Sequence, residues 1–445
     1  VKVVIYGLDG SVVCQVKHLL RPLDLPQPRF AEHPQDDLWD TLQRACLDVM
    51  AQYKSDKSRD VGEIVGVGLC AIRCCRVLLQ KNGELAHPVI NWMDERLSRP
   101  FEYRDSYGQV DYVTTASGYL SFRLTGQRKD TCANYIGCWP MDEQTCRWSK
   151  KPKQFQDCGL RPEMLFELVD PGQVLGVISE SASIKTGLPK GLPVVATAHD
   201  KAVEVLGLGG LENGTAFVSL GTYICVMMNG NKNSADSGSF WSFQGARPRE
   251  RLFECMGVRR GMWTVSWFGQ QFGGSASGGV GGKQESIEQY LENEAKLVTP
   301  GSDGLITVHD WAAPCEHPYR RGAFIGFDGR HGRAHMYRSL LEGIALTIKN
   351  NLEPMLQQLD VNLKKVVISG GGSRSDLILQ IFSDVLGVPS YRTRLSGTAS
   401  LGSAISAGVG CGVFESYEKA FEQMVTPLEE FRPDVKNVAL YERLN

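Results

Sequence analysis

This chain has no long apolar run. Its longest apolar stretches, such as Val194–Ala198 and Thr215–Leu220, fall far short of the ~20 residues a membrane helix needs, so a soluble chain with no membrane partner is expected. An excess of one charge is missing as well: 48 Lys and Arg face 50 Asp and Glu, for a formal net charge of -2. That balance offers nothing to a polyanion, and no nucleic-acid partner is expected. Metal-ligand spacing is absent too. The 13 cysteines are odd in number, thinly spread, and never stand as Cys-x-x-Cys or in a Cys/His zinc pattern. Cys74 and Cys75 are adjacent, which suits neither a disulfide between them nor a tetrahedral site. Reduced thiols in a cytoplasmic protein are therefore expected. The opening Val1-Lys2-Val3-Val4-Ile5-Tyr6 has neither an initiator Met nor a signal-peptide layout, so a processed or incomplete start is expected.

What is present is ample material for packed domains. At ~100–200 residues per domain, 445 residues allow two to four, and a 42% hydrophobic fraction supplies their cores. Val1–Val16 alternates apolar residues around Gly7-Leu8-Asp9-Gly10-Ser11, which predicts a β-hairpin. Leu38, Leu42, Ala45, Cys46 and Val49 recur at helical spacing over Asp37–Met50. Ile64–Ala71 then reads as a buried strand. A similar order restarts near residue 200, with β-rich runs Thr215–Ser219 and Tyr223–Met228 flanking Gly221-Thr222, so two related halves are expected. Later come a helix over Arg333–Leu359, a strand over Lys365–Ser369, a helix over Ser375–Leu386 and a small-residue helix over Thr398–Gly410. Alternating strands and helices with glycine turns at strand ends predict α/β layers that bind a ligand at the strands' carboxyl edges. Asn231–Ser239 and Gly273–Gly282 are polar and Gly/Ser-rich, and read as mobile surface segments.

Four segments carry the chemistry. Val194–Ala198 leads into His199-Asp200, placing a carboxylate at the end of a buried strand. There it can accept a hydroxyl proton or merely cap the next helix; local sequence leaves both open. Leu220-Gly221-Thr222-Tyr223 is a tight turn whose amides and hydroxyl can wrap a phosphate, although most such hairpin turns bind nothing. Gly370-Gly371-Gly372-Ser373, with Ser375 beyond, lies between a β-branched strand and an amphipathic helix, where bare backbone lets a flat ligand lie at the helix start. It has neither the Gly-Lys-Ser/Thr of a Walker A loop nor the G-x-G-x-x-G spacing of a dinucleotide enzyme. Trp92-Met93-Asp94-Glu95-Arg96 combines an aromatic plate with charged hydrogen-bonding groups, as sugar sites do, and Arg73-Cys74 ends the preceding strand. A buried Trp beside a structural Asp/Arg pair would look the same. Catalysis by the Cys74 thiol lacks a nearby histidine base.

In this order and spacing the segments resemble the FGGY family of carbohydrate kinases, most closely its xylulokinase-like branch. Ala198-His199-Asp200 looks like the family's catalytic-base segment, Leu220-Gly221-Thr222 like its second phosphate motif and Gly370–Ser373 like its adenosine motif. Phe324–Phe327 with Leu341-Glu342-Gly343, and Tyr119–Gly126 with Asp130 and Asn134, match two further stretches. The resemblance implies two actin-like (ribonuclease H-like) α/β domains with a cleft between them, residues 1–206 binding sugar and 207–445 binding nucleotide. It implies ATP and Mg²⁺ as cofactors. Asp200 would be the general base and also a sugar contact, with Arg73, Cys74, Trp92, Asp94 and Arg96, and Gly221, Thr222, Gly370, Gly371, Gly372, Ser373 and Ser375 would be nucleotide contacts. It leaves room for a homodimer.

The departures from the family pattern have consequences. The family begins with a strand bearing an Asp-x-Gly-Thr phosphate turn, and this chain begins where that turn would finish. Between Arg96 and Tyr119 it is shorter than the family, so a break between Pro100 and Gly118 is expected. Arg73 fits the Arg-bearing members, but Cys74 supplies neither carboxylate nor imidazole, and Tyr223 stands where Ser or Thr is common. The sugar is therefore open. A nucleotide-binding scaffold without transferase activity is the competing expectation.

Overall fold

The computed structural model describes residues 1–230, 238–274, 286–313, 317–393, 397–425 and 429–445. Most of Asn231–Ser239 and Gly273–Gly282 lies outside them. The chain forms two compact units, one of Val1–Leu211, Phe243–Arg251 and Gly397–Val425, the other of Glu212–Ser242, Leu252–Ser396 and Thr426–Asn445. This differs from the expected linear division into 1–206 and 207–445, because a late helix folds back onto the first unit.

In the first unit, β1 (Lys2–Tyr6) and β2 (Val12–Lys17) pair antiparallel as the predicted hairpin. Asp9 braces its turn by accepting from the Ser11 amide at 3.0 Å and hydroxyl at 2.6 Å. Helix α1 (Asp37–Ser55) buries Leu38, Cys46, Val49, Met50 and Tyr53, the face set by their spacing. A three-stranded sheet runs in the order β4 (Val174–Val177), β5 (Pro193–Ala196), β3 (Val67–Leu69). Strands β5 and β3 are parallel, with Ala196 opposite Leu69, so both chains leave the sheet at the same edge. A cavity of about 880 Å³ is lined by Val3 and Ile5 of β1, Val67 of β3, and Leu42 and Val49 of α1.

Helix α2 (Asp200–Gly207) follows β5, and the late helix α6 (Thr398–Gly410) packs across it. Their backbones meet at two glycines. A Cβ on Gly402 would collide with the Val203 carbonyl oxygen, and one on Gly207 with the Thr398 carbonyl oxygen. The small-residue sequence of α6 is thus a packing device, and it assigns residues 397–425 to the first unit.

The second unit is built on a seven-stranded sheet. Its order is β8 (Phe240–Gln244), β9 (Arg251–Val258), β7 (Ile224–Gly230), β6 (Thr215–Leu220), β10 (Lys365–Ser369), β11 (Ser390–Arg392), β12 (Glu429–Phe431). The two central strands, β6 and β10, are parallel, with Ser219 opposite Ser369. Every residue of β6 is buried, the continuous apolar pattern of a strand covered on both faces. Helices α3 (Gly261–Phe272), α4 (Arg333–Leu359) and α5 (Asp376–Leu386) supply Phe268, Leu340, Ile344, Ile378 and Phe382 to the core.

The interval between Pro100 and Gly118 is packed and described throughout. Phe101, Tyr107 and Val113 pack with Leu78 and Ile90 in one buried cluster, and short 3₁₀ turns at Glu95–Ser98 and Asp105–Tyr107 carry the chain through the interval.

Candidate active site

The first unit gathers its chemistry at the shared carboxyl edge of β3 and β5. The Thr197 hydroxyl donates to the Leu69 carbonyl at 2.6 Å, tying the two strand ends together. Beyond them stand Cys70–Cys75 on one side and Thr197–Asp200 on the other. His199 caps α2: its Nδ1 accepts from the Ala202 amide at 3.4 Å, which leaves the ring proton on Nε2. Burial, then the Arg73 charge, holds this imidazole well below its usual pKa, so it is neutral.

With the cap supplied by His199, the Asp200 carboxylate is not needed for that task. Its Oδ1 is buried and has no hydrogen-bond partner. Burial raises the Asp200 pKa above the ordinary carboxylate value, against the opposing charges of Arg73 and Lys201. A proton acceptor of raised basicity with a vacant lone pair is what proton abstraction from an alcohol uses. The Arg73 guanidinium stacks on the Phe243 ring at 5.0 Å. Cys74 next to it takes a left-handed backbone, φ +66°, a conformation costly for a residue with a Cβ. Strain of this kind recurs at ligand sites.

The Trp92 segment divides. Trp92 is 52% exposed, and its backbone N–H donates to the Cys75 thiol, which also feels the charge of Asp200. Asp94 and Arg96 are instead buried in an ion network. Asp94 accepts from the Ala31 amide at 2.7 Å and from Arg96 Nη2 at 2.6 Å, Arg96 Nη2 also donates to Glu32 at 2.6 Å, and the guanidinium stacks on Phe30 at 4.1 Å. Burial alone would raise the Asp94 pKa, but the hydrogen bonds from Arg96 and Ala31 hold it low. These two residues, expected as sugar contacts, hold the loop that carries Trp92.

The second unit repeats the arrangement at the ends of β6 and β10, where parallel pairing brings the Gly221-Thr222 turn beside the Gly370–Ser373 loop. Gly370 has φ +87°, and a Cβ there would stand 2.6 Å from the Leu220 carbonyl oxygen. Gly372 faces Met262, whose sulfur would lie 2.8 Å from an added Cβ, and the Met262 amide donates to the Gly221 carbonyl at 3.2 Å. Gly371 differs: a Cβ on it would meet nothing within 4 Å, so its bare backbone faces open space. Thr222 is exposed at the tip of its turn. Ser373 and Ser375 are engaged locally, Ser373 Oγ donating to the Gly370 carbonyl at 2.8 Å and Ser375 Oγ capping α5 through the Ile378 amide at 3.2 Å. Arg392 braces the loop through the Ser373 and Arg374 carbonyls at 3.3 and 3.2 Å.

Sequence reasoning missed two participants. Phe243 lies 170 positions beyond Arg73, on a strand whose alternation gives no sign of its neighbour. His199 was readable as a helix cap from its place before α2, but Asp200 drew that role in the local pattern.

Two α/β units with strand-edge sites of this kind define a two-domain, actin-like ATPase architecture. The sequence matches the N-terminal domain of the FGGY family of carbohydrate kinases over residues 100–207 and the C-terminal domain over residues 216–411. It is 44% identical over 444 residues to the "Uncharacterized sugar kinase YgcE" of Escherichia coli (strain K12), covering 100% of this chain and 89% of that protein. It is 24% identical over 481 residues to the xylulose kinase of Lactococcus lactis, covering 98% and 93%. The crystal structure of xylulose kinase from Rhodospirillum rubrum superposes with a TM-score of 0.83 at 21% identity, covering 98% of this chain and 92% of that one. The chain belongs to the FGGY family and is a carbohydrate kinase.

Proposed function

We propose that this kinase transfers the γ-phosphoryl group of ATP to a hydroxyl of a small carbohydrate, a ketose or a polyol, with Asp200 as general base. The observation that carries the proposal is the partnerless Asp200 Oδ1 at the β5 edge, beside the stacked Arg73. The sugar binds in the first unit, Trp92 giving it an aromatic face and Arg73 a fixed donor. Asp200 takes the hydroxyl proton as the oxygen attacks phosphorus, and Arg73 and Lys201 offset the charge around the carboxylate.

The nucleotide binds in the second unit. Gly221 and Thr222 contact its phosphates through backbone amides and a hydroxyl, and the Gly370–Gly372 backbone lies under the adenosine. Among the described residues no cluster of three or more His, Cys, Asp or Glu side chains stands ready for a metal. This fits Mg²⁺ carried mainly by the nucleotide's phosphates, with few protein ligands. When bound, Mg²⁺ supplies charge neutralisation of the transferring group. The cytoplasm is the compartment that provides ATP and keeps the thiols reduced.

The test is Asp200→Asn with a panel of pentuloses, hexuloses, heptuloses, glycerol and linear polyols. Turnover on the best substrate is expected to fall ~10²–10⁴-fold with no loss of thermal stability, because burial disfavours the carboxylate that the amide replaces. An unchanged turnover number removes Asp200 from the mechanism.

A further inference from the structure

Outside the strand-edge sites the first unit carries a second concentration of reactive groups. Cys132, Cys146, Tyr135 and Leu168 share one small buried cluster, walled by Trp139, Met141 and Trp148. Cys146 sits in the turn of a two-residue-strand hairpin in which Asp142 pairs with Arg147, and its backbone is left-handed at φ +54°. The Cys146 thiol donates to the Glu143 carbonyl at 3.7 Å, and its sulfur packs in the same four-residue buried cluster as that of Cys132.

The surroundings make the two sulfurs unequal. Asp170 holds Arg147 with bonds of 2.8 and 3.1 Å and accepts from the Cys132 thiol at 3.7 Å. Arg147 also donates to the Cys146 carbonyl at 2.9 Å. The Cys132 thiol is thus held by Asp170, whereas the Cys146 thiol is held by a backbone carbonyl. The neighbouring Cys132 thiol draws the Cys146 pKa below its ordinary value, helped by Arg251 and Arg147 against burial and Asp170. Cys146 keeps 9% of its surface in solvent, against 2% for Cys132, and the preceding Glu143, Gln144 and Thr145 are exposed. A low-pKa thiol at the rim with a second thiol behind it is the layout of an attacking and a resolving cysteine.

We propose that Cys132 and Cys146 form an oxidative modification site, at which a peroxide converts the two thiols to an intramolecular disulfide. The Cys146 sulfur attacks one peroxide oxygen, the O–O bond breaks, and water leaves behind a sulfenic acid. The Cys132 sulfur then attacks the Cys146 sulfur; the S–S bond forms, the S–O bond breaks, and the departing hydroxide takes the Cys132 proton as a second water. Two electrons pass from the thiol pair to the peroxide, and an external dithiol reverses the change.

A second pair gives an internal comparison. Cys138 and Cys158 also touch, but burial pushes the Cys158 thiol up to about 11, so it stays protonated at neutral pH. The purified full chain, treated with hydrogen peroxide at neutral pH, alkylated in denaturant and mapped without reductant, is expected to yield a peptide linked through Cys132 and Cys146 before any linked through Cys138 and Cys158. Dithiothreitol should release it. Cys132→Ser should let a dimedone adduct accumulate on Cys146, and Cys146→Ser should abolish both products while leaving turnover unchanged. In case either variant folds poorly, brief iodoacetamide labelling of the native wild-type chain provides a second reading, with Cys146 expected to react several-fold faster than Cys132 and Cys158. Absence of the Cys132–Cys146 link at peroxide doses that oxidise other cysteines, or slower labelling of Cys146 than of Cys158, overturns the proposal.

Discussion

Adjacent glycines do different things in the proposed nucleotide loop. Gly370 is required by its φ of +87° and by the Leu220 carbonyl 2.6 Å from where a Cβ would be, while Gly371 has open space in that direction. Gly370→Val is therefore expected to destabilise the second unit, by ~1–3 kcal/mol for the overpacking alone and more for the strained backbone. Gly371→Val is expected to leave the melting temperature unchanged but to raise KM for ATP at least tenfold with little effect on KM for the sugar. Steady-state kinetics with each substrate varied in turn, alongside thermal melts, separates the two; a rise confined to the sugar KM would assign the loop to another ligand. Asp200 offers a pH test at the same scale. Its raised pKa means that the basic form disappears as pH falls through a value above the ordinary carboxylate range, so the acid limb of kcat/KM should lie there. Arg73 opposes that rise, and Arg73→Met should move the limb to higher pH. A limb unmoved by the substitution would separate Arg73 from the base. The sequence made Asp200 legible because a strand ending on a carboxylate is a local pattern. It could not distinguish Trp92 from Asp94 and Arg96, because what separates them is a partner 64 positions before Arg96, the Glu32 carboxylate.

At the scale of elements, the crossing of α2 and α6 is the most demanding contact in the first unit. Neither helix has room for a methyl group at the crossing, since Gly402 abuts the Val203 carbonyl and Gly207 the Thr398 carbonyl. Gly402→Ala would raise the intrinsic helix propensity by ~1 kcal/mol, yet it is expected to lower stability by ~1–3 kcal/mol because backbone atoms cannot yield as a flexible side chain does. Denaturant unfolding followed by tryptophan fluorescence reads the difference, and a stabilised variant would mean the two helices do not touch. The positions of these elements were readable in advance: the opening hairpin, α1, β6, β10 and α4 fall within a few residues of where periodicity puts them, because each carries its own apolar pattern. What local pattern could not convey was partnership. Asp130 and Asn134, noticed as matching family positions, turn out to bind the Thr115 and Ser117 hydroxyls at the start of a neighbouring helix. Glu342 likewise ties the Gly301 amide, Ser302 and Tyr441 to the middle of α4. Such motif residues are equally compatible with binding or bracing until their neighbours are known.

For the whole molecule, residues 397–425 group with the first unit although they lie beyond the boundary near residue 207 that the two family-domain matches bracket. A boundary is set by where apolar faces find cover, and α6 finds it on α2. The same grouping turns the proposed division of ligands into a measurement. A ligand that binds only the native state stabilises it by RT ln(1 + [L]/Kd), about 2.7 kcal/mol at a hundredfold excess over Kd. For units of this size that corresponds to a rise in Tm of roughly 5–10 °C. The same linkage slows hydrogen exchange wherever backbone amides gain partners. With ADP and Mg²⁺ alone, protection should appear at Gly221–Tyr223 and Gly370–Ser373; with the best sugar alone, at Cys70–Cys75 and Thr197–Ala202. The Asp200→Asn variant should retain both patterns, since the substitution removes a proton acceptor and keeps the fold and the ligand contacts around it. Nucleotide protection confined to the Asp200 segment would reverse the proposed roles of the two units. Loss of sugar protection in Asp200→Asn would make the carboxylate a binding group, leaving the identity of the base to be sought elsewhere.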